Sequence, residues 1–107
     1  MTRVTIYRSK KGDYKRLVCS GHADFAEYGS DIVCASISVL VINTLNAMEK
    51  FAAVQMKQEE KDGFLDISFL SPFNEKAEVL MDALLLGLDD VKRQYGKKFL
   101  DLKIKEV

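Results

Sequence analysis

The chain has 107 residues, 16 basic and 16 acidic, and 48% of it is apolar; this is the size of one domain, residues 1–107, with a modest core and at most a shallow cleft. Balanced charge removes the positive field on which phosphate-neutralising proteins rely, so no direct nucleic-acid partner is expected. The apolar runs fall short of the roughly twenty residues of a membrane span and the N-terminal residues lack a signal-like hydrophobic region, which predicts a cytoplasmic protein with no membrane partner.

Arg3, Thr5 and Tyr7 alternate with Val4, Ile6 and Arg8, and Ser9-Lys10-Lys11-Gly12-Asp13 follows, so the opening reads as strand, turn, strand. In the second strand, about residues 14–21, Leu17 and Cys19 share a face. Residues 23–30 show no sustained period and read as a loop, a candidate lid. From residue 31 to about 50, Val33, Ile37, Leu40, Val41, Thr44, Leu45 and Met48 recur at helical spacing. Two further strands, residues 54–60 and 64–70, flank an Asp62-Gly63 turn. After Pro72, the positions Phe73, Ala77, Leu80, Met81, Leu84, Leu85, Leu88 and Val91 predict a long helix, capped by Asn74 or Ser71 and stopped at Gly96. Phe99, Leu100, Leu102 and Ile104 predict a closing strand. The order is ββαββαβ, which predicts an α+β domain with two helices packed on a mixed or antiparallel sheet. The leucine-rich second helix suggests that a second copy covers part of it, as in a homodimer.

Chemistry concentrates between residues 21 and 38. A cysteine nucleophile acts as its thiolate, which unpaired amides and the dipole at a helix N-terminus favour. With Asp31 as N-cap, Cys34 would be the third helical residue and meet this condition. A nearby Asp31 carboxylate would oppose the thiolate, so a positive partner is needed. His22 is the sole histidine and the side chain suited to exchanging a proton near neutral pH. A strand-loop-helix return over twelve positions permits the pair to meet as nucleophile and general base. Ser38 follows Cys34 by one helical turn on the same face. Cys19, beside Leu17 in the apolar register, reads as a small core hydrophobe. Two cysteines and one histidine without a C-x-x-C spacing predict no metal and no cofactor. By spacing alone a histidine and a cysteine twelve positions apart are more often structural than catalytic.

Gly21-His22-Ala23, then Gly29, then Asp31-Ile32-Val33-Cys34-Ala35 and Ser38 resemble the signature of the bacterial ribosomal-processing cysteine protease family, Prp. The resemblance implies a catalytic pair of His22 and Cys34, with Gly21, Gly29, Asp31 and Ser38 as supporting or substrate-binding residues. It further implies an α+β homodimer with a glycine-bearing loop that rearranges around substrate. The implied substrate is a ribosomal protein precursor, the N-terminal extension of large-subunit ribosomal protein twenty-seven, cut after paired phenylalanines. The family often has proline after the tyrosine near the end of the second helix, whereas Gly96 follows Tyr95 here. The alternative is a non-catalytic ribosome-associated binding module with the same fold.

Overall fold

In the first strand, β1 (Thr2–Arg8), alternation turns Thr2, Val4 and Ile6 inward, and all three are buried in the computed structural model of the chain. The structure describes residues 1–21, 28–61 and 63–107. β2 (Tyr14–Ser20) pairs antiparallel with β1 and sets Leu17 opposite Ile6 and Cys19 opposite Val4. Tyr7 pairs with Arg16 but Arg8 with Tyr14, so Lys15 is the extra residue of a bulge. That bulge is how Tyr14 and Leu17, three positions apart, both come to be buried.

β3 (Met56–Lys61) and β4 (Phe64–Phe69) form the second hairpin, and β5 (Leu100–Glu106) closes the sheet. The strand order is β3-β4-β2-β1-β5, with β1 and β5 parallel and the other pairs antiparallel. Register aligns two inward rows across the sheet. One runs Gln58, Ile67, Leu17, Ile6, Ile104; the other runs Glu60, Leu65, Cys19, Val4, Leu102.

The helices α1 (Tyr28–Ala52) and α2 (Glu75–Tyr95) lie over that face, and their inward residues, among them Val33, Ile37, Val41 and Met48 of α1 and Ala77, Met81, Leu84 and Leu88 of α2, join the core. Closely matching the expected spacing, every α1 position named from the sequence is buried except Leu40, which is partly so. Leu40 packs where α2 has Gly87, whose missing side chain makes room: a Cβ there would stand 3.2 Å from the Leu40 side chain. Asn74 joins the two helices. Its Oδ1 accepts from the Ala77 amide at 2.9 Å as N-cap of α2, and its Nδ2 donates to the Ala52 carbonyl at 2.7 Å at the end of α1. Ser71, the other candidate cap, instead accepts from the Gln55 amide. Gly96 ends α2 with φ 103°.

Two expectations fail. The loop assigned to residues 23–30 and the helix start at residue 31 give way to a helix beginning at Tyr28. Tyr28-Gly29-Ser30-Asp31 contains one large apolar residue, so a first turn built from it leaves no apolar period to read. Residues 23–27 of the expected lid lie outside the described residues. The apolar runs are also longer than expected: residues 32–52 of α1 are apolar enough, by length and composition, to cross a membrane. Only a third of that window is buried, although its inner stripe is core.

The opposite face of the sheet is polar. Arg16 forks onto Asp66 across the β2–β4 pair, with Nε donating to Oδ1 at 2.8 Å, and its guanidinium lies over the Tyr7 ring. Among the described residues the sheet is therefore covered on one side only, and a ligand for the helix side has to enter at an end of the layer.

Candidate active site

Such an opening exists at the end of the sheet where β2 finishes and the β3–β4 hairpin turns. A cleft of about 490 Å³ is lined on the sheet side by Thr2, Cys19, Ser20, Gly63, Phe64 and Leu65, and on α1 by Cys34, Ser38, Val41 and Ile42; Glu60 and Lys61 complete it at the edge strand. Its origin is in residue size. The row Ile6, Leu17, Ile67 is fully buried under α1, but one row further along the strands the sheet offers Cys19 and the helix offers Cys34 and Ser38. Small side chains face each other across the interlayer gap and do not fill it.

Cys34 and Ser38 meet in this cleft, one helical turn apart, as their spacing predicts. Gly21 sits just beyond β2 with φ 75°, its amide donating to the Gly63 carbonyl at 2.9 Å. A Cβ at Gly21 would stand 2.7 Å from the Met1 carbonyl oxygen, so a side chain is excluded both by backbone conformation and by space. The chain thus passes between the start of β1 and the β3–β4 turn before it reaches His22. His22 itself lies outside the described residues. Gly29 and Asp31 belong to the first turn of α1.

The helix start corrects the electrostatic expectation for Cys34. Counted from Tyr28, Asp31 is the fourth helical residue and no N-cap, and Cys34 is the seventh. The unpaired amides of α1 therefore belong to its first turn, while the Cys34 amide is inside the helical hydrogen-bond ladder. The dipole effect fades within the first turn, so the helix terminus offers Cys34 less than the expected N-cap placement would.

Cys19 packs against the core as its register predicts, and has a second place that the sequence did not show. It holds the apolar register opposite Val4 and Leu65, as expected of a core residue, yet it lines the cleft with Cys34. Burial pushes its thiol up from the ordinary 9.0 to about 11, and the neighbouring Cys34 sulfur adds to the rise. Both cysteines are free thiols. The clue available in the sequence was the smallness of Cys19, Cys34 and Ser38 together, which becomes legible only once the rows are known to face each other. Among the described residues no three His, Cys, Asp or Glu side chains cluster to hold a metal ion.

A cleft with a free cysteine on a helix wall suits thiol chemistry, and comparison with known proteins supplies the family. The family described as Cysteine protease Prp matches residues 1–99. The chain belongs to that family. It is a cysteine protease. The Prp relative from Bacillus subtilis, a ribosomal processing cysteine protease, is 31% identical over 101 residues, 89% of this chain and 90% of the relative. That from Staphylococcus aureus is 26% identical over 99 residues, 91% of this chain and 93% of the relative. The crystal structure of the S. aureus Prp with a covalently linked product peptide superposes with a TM-score of 0.86 at 27% identity, covering 98% of this chain and all of that one. The α+β architecture, with two helices on a mixed five-stranded sheet, is thus the Prp fold.

Proposed function

We propose that this protease removes the N-terminal extension of a ribosomal protein precursor, large-subunit ribosomal protein twenty-seven, by nucleophilic attack of the Cys34 thiolate, with His22 as general base and acid. The observation that carries the reading is Cys34 on the wall of an open cleft, in a chain whose family processes ribosomal proteins by cysteine chemistry. The imidazole of His22 takes the thiol proton and the resulting imidazolium stabilises the thiolate. Attack on the scissile carbonyl gives a tetrahedral intermediate; its collapse, with His22 returning the proton to the leaving amine, leaves an acyl-enzyme that water then hydrolyses. The covalently linked product peptide of the S. aureus relative is support from a related chain for such a thioester stage.

Gly21 supports the site by fixing the backbone immediately before His22. Ser38, beside Cys34 in the cleft, is a substrate-binding residue, and Gly29 and Asp31 shape the first turn of the helix that carries Cys34. The enzyme works in the cytoplasm, where its substrate is made, and as a homodimer; Ile32, Val39 and Ile42, exposed on α1, give a second copy an apolar surface to cover. Its chemistry is tested with a peptide bearing paired phenylalanines, mapping new termini by mass spectrometry. Cys34→Ala and Cys34→Ser are expected to fold normally and to lose cleavage, and retained cleavage by either would refute the assignment. The binding-module alternative predicts instead that the wild-type chain leaves such peptides intact.

A further inference from the structure

We propose that Cys19 sets the depth of the subsite that receives a bulky apolar side chain of the bound peptide, and so is a specificity-determining residue. This rests on the reading of the cleft as the protease site.

The cleft stops where packing becomes continuous. Leu17, Ile67 and Ile6 are 0% exposed, so nothing penetrates past their row. The next row is the floor, and there Leu65 and Cys19 lie side by side as antiparallel partners. Both are partly buried, pack against the core and line the cleft. Val41 closes the deep end from α1, and Cys34 and Ser38 stand nearer the N-terminus of the same helix. Among the described residues, the apolar floor that a peptide running past Cys34 offers a large side chain is the one made by Leu65 and Cys19.

Of these two, Cys19 leaves the space. Leu65 already fills its share of the row, whereas a thiol is far shorter than the leucine or isoleucine that serves the neighbouring inward positions. The environment also keeps Cys19 apolar. Its proton is held up to about pH 11 by burial and by the nearby Cys34, so at neutral pH it is an uncharged, polarisable surface and no rival nucleophile. The charged lining residues, Glu60 and Lys61, belong to the edge strand β3: Glu60 ends the floor row beyond Leu65, so Leu65 stands between it and Cys19.

The test separates binding from chemistry. Fluorescent peptides identical except for one apolar residue at the cleavage site, Phe, Val or naphthylalanine, are titrated against the full chain carrying Cys34→Ala, alone and combined with Cys19→Leu or Cys19→Ala. Thermal unfolding first establishes that each variant folds. Cys19→Leu is expected to cut the preference for Phe over Val by roughly tenfold or more, in line with the discrimination that one or two methylenes give in an apolar pocket. Cys19→Ala is expected to improve naphthylalanine relative to Phe several-fold. If the order and ratio of affinities are the same in both folded Cys19 variants as in Cys34→Ala alone, Cys19 does not set the depth. Cleavage of the peptides by Cys34→Ala would instead undermine the nucleophile assignment, while the affinity ratios would still decide the role of Cys19.

Discussion

Two thiols share one cleft and have opposite prospects. The raised Cys19 pKa makes folding sensitive to alkali: the thiol keeps its proton in the native state to about pH 11, whereas an unfolded chain gives it up near 9.0. The stabilisation from this protonated thiol is complete below pH 9 and is lost as pH rises toward 11, by an amount on the order of 3 kcal/mol. Tyr14, raised by burial above its ordinary 10.0, pushes in the same direction. Urea unfolding midpoints measured from pH 8 to 11 should therefore fall steeply in the wild type and less steeply in Cys19→Ala. Alkylation gives a second check: at neutral pH intact-mass measurement should find iodoacetamide on Cys34 first, with Cys19 reacting only after denaturant is added. On the polar face of the sheet, the Arg16 hydrogen bonds hold the Asp66 carboxyl below its ordinary 3.8, so that its contribution is present above that value and lost in more acid solution. Because Arg16 is substantially exposed, Asp66→Asn should cost less than about 1 kcal/mol at neutral pH and flatten the acid limb of the stability profile.

Among the elements, the connections are the vulnerable points. Gly21→Ala combines a left-handed backbone with a clash against the Met1 carbonyl, and a loss of about 1–3 kcal/mol is expected from the backbone alone. Since the same residue leads into His22, the proposed catalytic partner, kcat should fall more than stability explains; chemical denaturation alongside peptide kinetics separates the two effects. Asn74→Ala removes the cap of α2 and its bond to the end of α1 and should cost about 1–2 kcal/mol, read from the urea midpoint, without touching the cleft. The elements were legible in the sequence because most carry a strong period: Val33 to Met48 and Ala77 to Val91 fall on one helical face each, and β1, β2 and β3 stop within a few residues of Gly12, Gly21 and Gly63. The helix start was not, because Tyr28-Gly29-Ser30-Asp31 has no such period while Asp31 is a good capping residue by type. The Cys34–Ser38 spacing likewise followed from helical geometry alone. The opening beside Cys19 did not, since it depends on which sheet row meets which helix turn, a tertiary fact.

Across the whole molecule, the sheet has a covered face and a bare one, and the covering helices keep an apolar exterior. Val39 is 66% exposed and lies between Ile32 and Ile42 on α1. If the proposed homodimer uses that surface, Val39→Lys should lower the sedimentation-derived mass from dimer to monomer with circular dichroism unchanged; a persisting dimer would point to another interface. The interior strand β1 joins β2, its neighbour in the chain, to β5, which begins nearly a hundred positions later. Until Leu100–Glu106 has been synthesised, one flank of β1 stays open, and Thr2, at the cleft, lacks its partner Leu100. A nascent chain whose β5 has not yet emerged from the ribosome accordingly cannot close its own sheet, and the part of the cleft wall that Thr2 supplies is fixed only once that strand has docked.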